Sequence, residues 1–156
     1  MAHKDLQAFV KALEKKKELK RINTLLDPNL EIAEVTDRVS KMTGPALLFE
    51  NPAESRFPVL TNAFGSFDRM HMALGVDSLD DVAEQVHQFL EIERPDGIVK
   101  KLKMIPKLKR MADIFPKYVS KGVCQEVVLT GDEVDLSMLP VLTTWPQDGG
   151  PFITLP

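Results

Sequence analysis

Four consecutive apolar residues, Ala46-Leu47-Leu48-Phe49, lie between Gly44-Pro45 and Pro52. A short apolar run closed by prolines is predicted as a strand. Helical periodicity precedes it. Leu6, Phe9, Val10 and Leu13 recur at spacings of three and four behind Asp5 as a cap, with Leu19 and Ile22 further on. After a turn at Asp27-Pro28, Ile32, Val35 and Val39 give a second apolar face, with Glu31, Glu34, Asp37 and Arg38 outside; Gly44-Pro45 stops it. Phe57-Pro58-Val59-Leu60-Thr61 reads as a second strand, with Pro58 near its start, where a missing N–H is tolerated. Gly65 and Ser66 open a short helix carrying Met70, Met72 and Leu74, and Gly75 closes it. Ser78, with Asp81 three residues on, caps a further helix with Leu79, Val82, Val86, Phe89 and Leu90 as its apolar face. Helices alternating with short strands give a mixed α/β (α+β) class.

The character changes after the turn Pro95-Asp96-Gly97. Residues 98–117 mix apolar side chains with Lys100, Lys101, Lys103, Lys107, Lys109 and Arg110, broken by Pro106 and Pro116. Cys124 to Thr130 reads as a strand, Gly131-Asp132-Glu133 as a turn, and Asp135-Leu136 leads to Leu139-Pro140. Phe152-Ile153-Thr154-Leu155 has strand composition but no partner or turn after it. A strand needs a neighbour for its backbone hydrogen bonds, so a truncation near residue 156 is expected.

With 156 residues the chain makes one domain, or one domain and part of another. Its 44% hydrophobic and 28% charged content is ordinary for a soluble globular protein. A net charge of −3 gives no basic field that would attract nucleic acid. The charged N-terminus shows no signal peptide, and no apolar run reaches the about 20 residues that span a bilayer. The cytoplasm is the default compartment.

Chemistry-bearing patterns are scarce. The single Cys124 excludes an internal disulfide; beside Val127-Val128-Leu129 it reads as a packed, inert thiol. His3, His71 and His87 do not form a metal pair; His71 reads as a helix-surface or core-edge residue and His87 as solvent-facing. Gly149-Gly150 is too short for a phosphate loop and reads as a tight turn. Glu84 with Gln88, or Glu91 with Glu93, lack an apolar setting that would make them an acid/base pair. Lys15-Lys16-Lys17 reads as a solvated helix end. The basic segment 100–110 has no aromatic anchor, which favours a charged connector between domains over peripheral membrane or nucleic-acid contact.

Four stretches together resemble the UbiD family of decarboxylases. They are Asp5-Leu6-Gln7-Ala8-Phe9 through Glu18-Leu19-Lys20-Arg21-Ile22; Leu30-Glu31-Ile32-Ala33-Glu34-Val35 with Asp37-Arg38; Gly44-Pro45-Ala46-Leu47-Leu48-Phe49-Glu50-Asn51 with Phe57-Pro58-Val59-Leu60-Thr61-Asn62 and Gly65 to Gly75; and Cys124-Gln125-Glu126-Val127-Val128 through Asp135-Leu136, Leu139-Pro140 and Trp145-Pro146-Gln147-Asp148-Gly149-Gly150-Pro151. The resemblance implies an N-terminal α/β domain over residues 1–117. From 118 to 156 it implies the first strands of a truncated split β-barrel of flavin-reductase type.

It also implies a full-length enzyme that reversibly decarboxylates aromatic or α,β-unsaturated acids, as in ubiquinone and menaquinone synthesis. That enzyme would use prenylated FMN with a divalent metal and a monovalent cation. The family's catalytic arginine and two glutamates, its metal ligands and most flavin contacts match no position of this chain. No catalytic, cofactor-binding or metal-ligating residue is therefore expected in this chain. Arg56, Arg69 and Arg94 are not substitutes, and Thr154, where flavin contacts begin in the family, is not assigned. The expected role is scaffold, with no cofactor in this chain. The expected partner is the rest of the decarboxylase, or a second copy through an open sheet edge. The alternative is a non-catalytic subunit that docks a separate catalytic partner by strand addition.

Overall fold

The computed structural model describes residues 3–90, 116 and 118–153. The basic segment 100–110, the turn at 95–97, Glu91, Glu93, Arg94, Thr154 and the Gln88 side chain lie outside the described residues. Residues Met1–Val82 with Asp135–Pro156 form one compact unit, and Ala83–Val134 form another.

The first unit is built round a three-stranded sheet, β1 (Leu19–Ile22), β2 (Ala46–Phe49) and β3 (Val59–Thr61), in that order. β1 and β2 are parallel, Leu19 opposite Ala46 and Ile22 opposite Phe49, and β3 returns antiparallel with Val59 opposite Phe49. β2 is central and all four of its residues are buried. A strand covered on both faces needs apolar side chains at every position rather than alternately. That is why the run Ala46-Leu47-Leu48-Phe49 has no polar member.

The helices supply the two covers. α1 (Leu6–Lys15) is capped by Asp5, whose carboxylate accepts from the Ala8 N–H at 2.8 Å. It buries Phe9 and Leu13 beside Ala46, together with Leu19, Leu60, Met72 and Ala73. α2 (Glu31–Lys41) buries Ile32 on the opposite face against Leu47 and Phe49, with Ile22, Leu26, Val35, Val39, Val59 and Leu142 around them. Neighbouring residues on β2 and β3 thus divide between two cores, as strand alternation requires. Leu19–Ile22, read only as apolar positions beyond the first helix, is the edge strand β1.

α2 ends with Thr43 in the left-handed region (φ 52°), and the Gly44 N–H returns to the Val39 carbonyl at 2.8 Å. A Cβ on Gly44 would come within 2.6 Å of Val39 Cγ1, so this position has no room for a side chain. β3 begins at Val59, one residue after Pro58, which cannot donate to the ladder. α3 (Phe67–Leu74) is capped by Ser66 and closed by Gly75 at φ 68°. α4 (Leu79–Leu90) follows Ser78, whose N–H donates to the Asp81 carboxylate at 3.0 Å.

Residues 124–130 differ from the sequence expectation, while the turn expected at Gly131-Asp132-Glu133 is present. In place of a strand over Cys124–Thr130 there is a single 3-10 turn at Val123–Gln125, and others follow at Gly131–Glu133 and Leu136–Met138. Cys124 is exposed, not packed, and Val127 and Val128 are 77% and 69% exposed. Valines favour a strand only when a neighbouring strand takes their backbone groups and covers one face. Among the described residues none lies alongside them.

Surface pairs add a pH dependence. Arg21 on β1 is bonded to Glu14 of α1 at 2.6 Å and to Glu50 just after β2. Its guanidinium holds the Glu14 carboxyl below the usual range, and the Ser137 hydroxyl and N–H hold Asp135 down likewise. A carboxyl depressed in the folded state stabilises fully above its unfolded pKa and loses that contribution as pH falls through the folded value. The urea midpoint should therefore fall as pH is lowered from 7 towards 3, and more shallowly in Arg21→Met. An identical acid profile for the two chains would remove Arg21 as the cause. Phe49→Ala should cost about 3–5 kcal/mol in the same assay, the usual range for emptying a buried phenylalanine site.

Candidate functional site

The most constrained polar group is Arg69, in the first turn of α3 and 1% exposed. Its backbone N–H donates to the Ser66 hydroxyl, so the cap that starts the helix also fixes where the arginine begins. Nη1 donates to Glu18 Oε2 at 2.7 Å, immediately before β1. Nη2 donates to the Gly44 carbonyl at 3.1 Å, two residues before β2. Asn62, at the end of β3, donates through Nδ2 to the carbonyls of Gly44 (3.1 Å) and Pro45 (2.9 Å). One end of all three strands is therefore tied through a single guanidinium and one amide. Gly65 must be glycine for this closure, since a Cβ there would lie 1.8 Å from Asn62 Oδ1.

The described residues of this unit include two concave surfaces of note. One, about 470 Å³, adjoins the arginine cluster and is lined by Lys16, Glu18, Asp68, His71 and Asp77, with Met72 and Val76. The other, about 660 Å³, runs past Asp27, Asn29, Glu54, Ser137, Leu139 and Val141. The first carries more carboxylates than cations. Among the residues named for the second there is no Lys or Arg, only Asp27 and Glu54 as charges. A phosphate-bearing ligand such as FMN calls for cations or converging N–H groups, so neither surface fits one. Among the described residues no group of three His, Cys, Asp or Glu is placed to hold a metal ion.

The sequence candidates are dispersed. His3 bonds the Met72 carbonyl at 2.8 Å and lies 5.0 Å from the Phe9 ring, so it pins the chain start to α3. His71 is half-buried at the edge of the smaller concavity, and His87 is exposed. Arg56 lies over the Phe57 ring at 5.4 Å. Gly150 stands at φ 134° in a bend; the hydrogen-bonded turn lies earlier, at Trp145–Asp148, and residues 151–153 form no strand, so the tight turn before a strand expected at Gly149-Gly150 is not found. Sequence reasoning missed the burial of Arg69; the available signal was the turn- and cap-forming residues Asn62, Gly65 and Ser66 before it.

A buried charge left without its partner costs about 3–5 kcal/mol. Glu18 is 35% exposed, which lowers this to roughly 2 kcal/mol for Glu18→Ala after allowing for solvent screening. Because the loss lies in the stranded guanidinium, Glu18→Ala with Arg69→Met should be more stable than Glu18→Ala alone in urea denaturation. Additive losses would show that the pair is not coupled.

A family model for the 3-octaprenyl-4-hydroxybenzoate carboxy-lyase N-terminal domain matches residues 10–89, and one for its Rift-related domain matches residues 117–156. An uncharacterized protein of Aquifex aeolicus is 49% identical over 154 residues, which is 97% of this chain and 32% of that protein. The chain thus spans about a third of that relative's length. The vanillic acid decarboxylase of Sedimentibacter hydroxybenzoicus, in open form, is similar over 97% of this chain and 30% of its own, at 26% identity and a TM-score of 0.66. The UbiD-class enzyme HmfF of Pelotomaculum thermopropionicum, in complex with FMN, shares the fold over 94% of this chain and 28% of its own, at 24% identity and a TM-score of 0.66. With both domain models matched in order and more than half the chain covered, this protein belongs to the UbiD family of carboxy-lyases.

Proposed function

We propose that this chain is the N-terminal portion of a UbiD-like non-oxidative decarboxylase. Its substrates would be aromatic or α,β-unsaturated acids, with a quinone precursor the favoured case. The observation that carries the reading is the ordered match of two carboxy-lyase domain models, 10–89 and 117–156. The family description names a polyprenylated hydroxybenzoate, and the Sedimentibacter relative acts on vanillic acid, also an aromatic acid. The gap between the two models supports a domain division at about 117, with residues 118–156 as the opening strands of a split barrel. The exposed Val127 and Val128 suit strands that wait for barrel neighbours. Among the described residues no helix is long and apolar enough to cross a membrane, which is compatible with a cytoplasmic enzyme.

In this reading the chain is scaffold. A prenylated flavin, bound by the remainder of such an enzyme with its metal and monovalent cation, would act as electron sink for loss of CO₂. The residues here would hold the sheet, helices and Arg69 cluster that form one wall beside it. HmfF carries FMN, and an evolved dimeric form of it carries prFMN; both are properties of that enzyme. The exposed valines also favour docking onto a catalytic partner, or onto a second copy, by strand addition.

The purified 156-residue chain should show no flavin absorbance and no shift on titration with FMN. It should release no CO₂ from hydroxybenzoates or cinnamates. A polypeptide continuing this sequence to the length of the Aquifex relative should bind flavin and release CO₂. Stoichiometric flavin or turnover on the 156 residues alone would refute the scaffold role, and an inert, flavin-free longer protein would refute the decarboxylase reading.

A further inference from the structure

Residues 138–143 fall within the range matched to the Rift-related domain, yet at its two ends, Met138 and Thr143, the segment bonds to the N-terminal domain. The Ser55 hydroxyl donates to the Met138 carbonyl at 2.8 Å. The Leu30 N–H donates to the Thr143 carbonyl at 3.1 Å, and the Thr143 N–H donates to the Pro28 carbonyl at 3.2 Å. Together these make a parallel bridge between Asn29 and Thr143. Between these ties Leu142 packs against the core of Ile32, Leu47 and Phe49. Leu30 itself stands at φ 71°, a left-handed conformation that costs a non-glycine residue free energy and persists only where surrounding contacts hold it. The Thr143 carbonyl is one of those contacts.

Beyond Thr143 the character changes within one residue. Thr144 to Gly149 are exposed, and their bonds close on themselves: the Asp148 N–H to the Trp145 carbonyl at 3.1 Å, and the Thr144 hydroxyl to the Asp148 carboxylate at 3.0 Å.

We propose that residues 138–143 are a strap that opens and closes cooperatively with the three-stranded sheet of the N-terminal domain. The strap carries the strained Leu30 corner at the start of α2. The inference concerns the chain's own bonds and stands apart from the decarboxylase reading.

Hydrogen–deuterium exchange of the intact chain, resolved by NMR, tests it. The reference amides are Ala46 and Glu50, which bond across β1 and β2 to the Glu18 and Ile22 carbonyls. The Leu30 and Thr143 amides should be protected to within about tenfold of these. With added urea all four should converge on one opening transition. Leu142→Ala should accelerate exchange at Leu30 and Thr143 at least tenfold relative to Ala46. Coil-like exchange at Leu30 and Thr143 in the unaltered chain, with Ala46 and Glu50 protected, would overturn the strap, as would unchanged rates in a folded Leu142→Ala protein. Should that variant not fold, the urea series on the unaltered chain decides: exchange at Thr143 that does not respond to urea while Ala46 does would also overturn it.

Discussion

The Gly44 carbonyl accepts from two side chains, Arg69 and Asn62, at the mouth of the central strand. That junction governs the rest of the N-terminal unit. A four-residue strand buried on both faces has no polar side chain to steer its ends, so its entry must be set by the backbone just before it. Gly44 has no room for a Cβ and Pro45 has no N–H, which leaves their carbonyls as the groups to be held. Asn62 holds both carbonyls and Arg69 holds that of Gly44, both from later in the chain, and Glu18 neutralises the charge that this brings inside.

A neutral cluster of similar shape would avoid the desolvation of a guanidinium. What the arginine adds is reach and angle. Its planar fork bonds a carboxylate before β1 and a carbonyl before β2 at once, which a single ammonium does less well. The parallel pair β1–β2 has no hairpin to set its register, because α2 intervenes, and the fork spans the starts of both strands. The register is thus marked by side chains where an antiparallel pair would mark it by a turn.

Much of this was readable in the sequence. Asp5, Ser66, Gly75 and Ser78 cap or close the helices they flank, because capping is local chemistry between neighbours. The apolar faces of α1 and α2 and the run at Ala46–Phe49 are periodic, and period maps directly onto burial. Leu19–Ile22 as β1 and the Arg69 cluster were not readable in the same way. Their identity depends on residues far along the chain, and a basic residue on a short helix ordinarily points to water. The segment Cys124–Thr130 failed in the opposite sense. Its composition states a strand preference, but a preference of that kind is realised only through a neighbour. The candidate site shows the same division: single residues could be named, while the assembly of Glu18, Gly44, Asn62 and Arg69 needed the tertiary fold.

The position of Leu142 also has a bearing on synthesis at the ribosome. Helices and strands up to Thr61 contribute most of the two apolar clusters, and they emerge first. Leu142 emerges seconds later at usual elongation rates. Until then the face of Ile32, Leu47 and Phe49 lacks one of its covering side chains. The nascent domain would therefore display a transient apolar notch of the kind that chaperones at the exit tunnel engage, and translation of the Leu139–Thr143 stretch would close it.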